Sequence, residues 1–264
     1  MFKARALTAI AGIPVLLFFV YLGDYWFALL VLAISLLGIR EYFAMMKNID
    51  WRPVEMAGYL FIPLGLFAVY LGNLFLIVIL WMLFFASLNL LPIFFPGRIN
   101  YLESAAVFWG IIYIGAPVGF LLATRLMPDG FLLTIFLLLV IWAADVFAYL
   151  IGRKLGKRLL APKISPKKTV EGAMGGLAGS ILVGALFMIF APLPPHLGWL
   201  HGALLGLICG VTGMLGDLIE SAMKRNAGVK DSGDLLPGHG GILDRFDSLF
   251  FTAPFFFIYL HLFF

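Results

Sequence analysis

Long apolar blocks separated by brief polar breaks run through this sequence from end to end. They lie near 6–22, 25–39, 56–71, 74–95, 104–124, 131–151, 173–191, 198–219 and 249–264. A transmembrane helix needs about 17–25 mostly apolar residues. The pattern therefore predicts an all-α, polytopic integral membrane protein with about nine transmembrane helices. The second, third and ninth blocks are short and must recruit flanking residues. Fusing the first two across Gly23-Asp24 would give eight. The start, Lys3 and Arg5 before an apolar run, resembles a signal peptide, but with further blocks following at once an uncleaved first helix is expected.

Composition agrees. The 264 residues are 63% hydrophobic and 12% charged, with a mean hydropathy of +1.06, whereas a soluble domain is about half apolar and about a quarter charged. The net charge of +4 says less than where the charges fall. With nine spans and a cytoplasmic N-terminus, the cytoplasmic segments are 1–5, 40–55, 96–103, 152–172 and 220–248. They hold 17 of the 18 Lys and Arg residues, Arg125 being the exception. Basic residues favour the cytoplasmic side, so the expected orientation is N-terminus in and C-terminus out. The outer loops are too short for a receptor domain. Cys209 is the single cysteine, so no intrachain disulfide can form. No repeat or linker marks a second domain. The expectation is one membrane domain over 1–264, with little chemistry in 1–130 and a catalytic part in 131–264 built around loops 152–172 and 220–248.

Segment 152–172 carries seven cations against one acid, Glu171. Arg153, Lys154, Lys157 and Arg158 read most simply as a headgroup anchor. The run Ser165-Pro-Lys-Lys-Thr-Val-Glu-Gly172 is harder to dismiss. Lys167, Lys168 and Thr169 offer phosphate donors on a turn just before a helix N-terminus, which itself favours anions. It is not a Walker loop, because Gly152-x3-Gly156-Lys157 has one intervening residue too few and Arg158 follows.

Two carboxylates fall inside predicted spans, Asp145 and Asp217. A charged residue at a helix centre costs roughly 2.5–3.5 kcal/mol on insertion scales, so such residues are paired or functional. Asp217, Glu220, Ser221 and Lys224 share one helix face by their spacing. Downstream, Asp244 and Asp247 stand three apart and could meet one metal if the chain is helical there. Loop 220–248 mixes four cations with five anions, which suits a site for metal and phosphate together better than a lipid-binding patch. His239, between glycines, could orient a phosphate or brace the loop.

The stretch Ser221-x-Met-Lys-Arg225-x4-Lys230-Asp231-x-Gly233-x2-Leu236-Pro237-x-His239-Gly-Gly-Ile-x-Asp244-Arg-Phe-Asp247 resembles the signature of the phosphatidate cytidylyltransferase, or CDP-diacylglycerol synthase, family. Segments 165–172 and Asp145-x2-Ala-Tyr149-x2-Gly152 are similar to that family as well. The signature spans 27 of the 264 residues and fixes about half of them. The resemblance implies transfer of the cytidylyl group of CTP to phosphatidic acid, giving CDP-diacylglycerol and pyrophosphate with Mg2+ as cofactor. It implies a site at the cytoplasmic face of a bacterial inner (plasma) membrane, with Asp217, Asp244, Lys224 and Asp247 catalytic. Metal ligands would come from Asp217, Asp244, Asp247, Asp231 and Asp145. Substrate contacts would come from Lys167, Lys168, Thr169, Ser221, Arg225, Lys230, His239 and Arg245. Membrane lipids are expected partners and nucleic acid is not. Gly175, Gly176 and Gly179 allow close helix contact, within the chain or in a homodimer. Two other classes stay open. A CDP-alcohol phosphotransferase would need an Asp-Gly-x2-Ala-Arg motif that is absent, and an ion or lipid transporter would use Asp145 and Asp217 along a pathway.

Overall fold

The computed structural model describes residues 2–49, 54–191, 193, 198–235 and 240–263, with side chains from residue 10 onward. Its helices are α1 (Phe2–Leu22), α2 (Asp24–Lys47), α3 (Glu55–Tyr70), α4 (Leu74–Phe94), α5 (Tyr101–Gly110), α6 (Ala116–Leu126), α7 (Gly130–Leu155), α8 (Val170–Phe190), α9 (Trp199–Asn226) and α10 (Leu243–Phe263). A π-helical turn, Ile111–Gly115, joins α5 to α6, so Tyr101–Leu126 is one helical run. Among the described residues seven helices are long and apolar enough to cross a membrane, and Ile10–Leu22 and Glu55–Tyr70 are apolar but shorter.

Several helices overrun the apolar blocks that predict them. α2 continues to Lys47, α9 to Asn226, and α10 starts at Leu243 rather than 249. Hydropathy marks where a helix leaves lipid, but the backbone hydrogen-bond ladder continues as long as side chains and caps support it. The chain also departs from a purely helical reading. Leu159–Ala161 (β1) and Ser165–Thr169 (β2) pair antiparallel, with Leu159 opposite Thr169 and Ala161 opposite Ser165. The turn expected at 165–169 is therefore a strand that runs directly into α8. Sequence-local signals set other ends. Asn100 and Glu103 form a reciprocal capping box on α5, and Gly23 breaks α1 from α2 at φ +65°, a conformation that suits glycine.

The chain forms two compact units, neither contiguous in sequence. One is Met1–Leu126 with Lys224–Arg245; the other is Met127–Met223 with Phe246–Phe264. The middle of the signature, Lys224–Arg245, belongs to the unit that holds the N-terminal helices. In the first unit the buried Tyr42 hydroxyl donates to the Ala106 carbonyl at 3.0 Å, and Gly110 leaves room for its ring. In the second, Phe136 stacks on Phe256 and meets Phe187 edge-on.

Small residues bring the helices of the second unit into backbone contact. A Cβ at Gly172 would lie 2.9 Å from the Ala148 carbonyl oxygen, and one at Gly176 would lie 2.8 Å from that of Ala144. Gly175 faces Ile151, and Gly179 faces Phe147. The glycine face of α8 is thus occupied by α7 of the same chain.

Candidate active site

A cavity of about 390 Å³ opens in the second unit, walled by α7, β2, α8 and α9, with Ser248 of α10. Its inner wall is apolar, with Ile141, Leu177, Cys209 and Met214. Its polar part carries Asp145, Lys167, Lys168, Thr169 and Asp217. Five residues expected from three separate stretches of sequence therefore line one space. Lys168 Nζ forms an ion pair with Asp217 Oδ2, and Ser221 Oγ donates to Asp217 Oδ1 at 3.3 Å. Gly216 lets α10 approach beside this carboxylate, since a Cβ there would lie 2.7 Å from the Asp247 carbonyl oxygen. Asp247 lies near enough to Asp217, Glu220 and Asp145 for their carboxylates to act on it electrostatically. Concentrated negative charge of this kind attracts a cation.

The hairpin presents the two lysines and is itself anchored by Glu171. One oxygen of Glu171 accepts from the backbone N–H of Lys157 at 3.0 Å and of Arg158 at 3.2 Å, and the other accepts from Arg158 Nε at 3.2 Å. Thr169 ends β2 and caps α8, accepting from the Gly172 N–H at 3.1 Å. Its expected role as a phosphate donor is thus joined by a structural one. Arg153 and Tyr149, hydrogen-bonded at 3.2 Å, also line the cavity. By its sequence neighbours Arg153 reads as an anchoring cation; helix α7, continuing to Leu155, carries it to the cavity wall.

Asp244, expected as a metal ligand, lies in the first unit among protein donors. Asp244 Oδ1 accepts from Lys224 Nζ. Its Oδ2 accepts from the backbone N–H groups of Ser232 and Gly241, each at 2.8 Å, and lies 2.8 Å from Ser232 Oγ. Both carboxylate oxygens are engaged by protein donors. Arg225 donates to the Val229 carbonyl at 3.0 Å, and Lys230, Asp231 and Arg245 are exposed. His239 lies outside the described residues.

Sequence reasoning missed Glu41. Its carboxylate accepts from the backbone of Ile242 and Leu243. A charge inside an apolar span would have flagged it, but the expected span stopped at residue 39, leaving Glu41 in a loop.

Among the described residues no three His, Cys, Asp or Glu stand close enough to hold a metal ion unaided. Mg2+ is usually held by one or two carboxylates, with substrate phosphates and water completing the shell. Asp145 and Asp217, lining one cavity with two lysines, fit that donor set.

The model of the cytidylyltransferase family matches residues 3–263. Curated relatives named phosphatidate cytidylyltransferase match over nearly full length. That of Synechocystis sp. is 38% identical, covering 95% of this chain and 93% of the relative. That of Bacillus subtilis is 36% identical, covering 99% and 98%. That of Staphylococcus haemolyticus is 35% identical, covering 96% of each. This chain belongs to the cytidylyltransferase family.

Proposed function

We infer that this chain transfers the cytidylyl group of CTP to phosphatidic acid, giving CDP-diacylglycerol and pyrophosphate for phospholipid biosynthesis. Full-length similarity to phosphatidate cytidylyltransferases carries the reading, and a cavity that gathers carboxylates and lysines supports it. An oxygen of the lipid phosphate attacks the α-phosphorus of CTP. The bond from that phosphorus to the oxygen bridging to the β-phosphorus breaks, and pyrophosphate leaves with the electron pair. The attacking oxygen is already anionic at neutral pH, so no strong general base is required.

The protein's part is to bring two anions together and neutralise the charge that accumulates. Lys167 and Lys168 stand at the polar part of the cavity to receive phosphate oxygens. Lys168 is ion-paired with Asp217, so the two could share a phosphate and its metal. Asp217 and Asp145, which line the same cavity, would hold Mg2+. The metal would supply Lewis-acid stabilisation of the phosphate oxygens. The apolar inner wall suits the lipid or the base rather than the triphosphate.

The same reading places the site at the cytoplasmic face of a bacterial plasma membrane, with nine spans if the two shorter apolar helices also cross. Its support is the segregation of Lys and Arg. Cysteines at Asn73 and Asp129, both exposed, should react with an impermeant thiol reagent from outside, and one at Lys163 should not. Labelling at Lys163 in intact cells would reverse the orientation. For the reaction, purified protein with phosphatidic acid should move label from [α-32P]CTP into lipid and release label from [γ-32P]CTP as pyrophosphate. Absence of lipid label would remove the assignment, and label from the γ position in lipid would indicate a different phosphoryl transfer.

A further inference from the structure

Glu41 lies near the end of α2, with its side chain buried. Oε1 accepts from the Ile242 N–H at 2.9 Å and Oε2 from the Leu243 N–H at 2.9 Å. Ser232 Oγ lies 3.1 Å from Oε2 and 2.8 Å from Asp244 Oδ2, so one hydroxyl is shared by two carboxylates. The two backbone donors open α10, where a helix leaves N–H groups without partners of its own. A residue next to the helix usually supplies that cap; here it comes from about 200 positions away. The loop is shaped to the carboxylate. A Cβ at Gly233 would lie 2.8 Å from Oε1, and Gly241 is closer still.

We propose that Glu41 is a positioning residue for cytidylyl transfer, holding the signature loop and the first turn of α10, the helix whose Ser248 lines the cavity. It touches no substrate. Its acceptors take the place of a local cap, and a helix N-terminus stabilises the negative charge. Glutamine cannot replace it. Whichever way the amide turns, its NH2 faces the N–H of Ile242 or Leu243, and a buried donor loses its partner. The proposal rests on the cytidylyltransferase reading for its kinetic consequence, though not for the hydrogen bonds.

The test joins kinetics to an observable of the loop. A spin label on Leu235→Cys, at an exposed loop position, reports loop mobility in protein with or without Glu41→Gln. In monodisperse Glu41→Gln, kcat per folded molecule should fall at least tenfold while the KM values for CTP and phosphatidic acid change less than threefold. The label should become more mobile. Ser232→Ala, which removes one hydroxyl and no backbone acceptor, should give a smaller fall in kcat and intermediate mobility. If Glu41→Gln does not fold, Ser232→Ala decides alone, and wild-type kcat with wild-type mobility overturns the proposal. A lowered Tm with full kcat per folded molecule also overturns it, reducing Glu41 to a structural brace. If wild-type protein lacks cytidylyl transfer, the functional reading fails while the spin label still tests the clamp, and unchanged mobility in Glu41→Gln sinks it.

Discussion

The two units treat their carboxylates in opposite ways. In the first, Glu41 and Asp244 accept from backbone N–H groups and from Lys224, with a serine hydroxyl between them. In the second, Asp217 faces a cavity, touched by one lysine and one hydroxyl, with Asp145 on the same cavity. Asp244 and Asp217 belong to neighbouring parts of the sequence and both look like metal ligands there. A carboxylate that accepts from fixed backbone N–H groups, as Asp244 does from Ser232 and Gly241, braces a fold. One that faces a cavity and pairs with a partly exposed lysine can exchange that partner for a ligand.

Exchanging each acid for its amide tests that difference most severely. Asp217→Asn should lower turnover by about three orders of magnitude or more, as expected when a charge-stabilising group is lost from a phosphoryl-transfer site, with Tm almost unchanged. Asp244→Asn should lose stability as well, because it breaks the buried ion pair with Lys224. Breaking such a pair costs about 3–5 kcal/mol, and the side chains of Lys224 and Asp244 are only 11% and 5% exposed. Thermal unfolding in detergent beside the CTP assay reads both. The comparison breaks if Asp217→Asn unfolds and Asp244→Asn does not.

A smaller effect sharpens the cavity side. Lys168→Gln removes both the partner of Asp217 and a phosphate donor, so kcat/KM should fall about tenfold, the scale of one charged hydrogen bond. Lys154→Gln, on an exposed position, should change it less than twofold. Equal modest losses at both would return the hairpin's charges to headgroup anchoring.

The smallest separates capping from chemistry at Thr169. Thr169→Val removes the acceptor for Gly172 and should cost about 1 kcal/mol of stability. Thr169→Ser keeps the cap and should restore it. If Ser restores Tm without restoring kcat/KM, the threonine methyl matters to the cavity; if both return, the hydroxyl alone suffices.

The sequence by itself determined the helical membrane class, because apolar block length and the cost of charge in lipid act locally along the chain. It also singled out Asp145, Asp217, Lys167, Lys168 and Thr169, which line one cavity, because polar groups in an apolar chain need a reason. It did not show that Thr169 caps α8 or that Glu171 holds the hairpin, since both depend on how strand and helix meet. Only the tertiary structure decided that Asp244 is braced, Asp217 faces a cavity, and Glu41 caps a helix some 200 residues away. Which donors reach a carboxylate depends on the folded path of distant segments, and the spacing of residues along the chain does not record it.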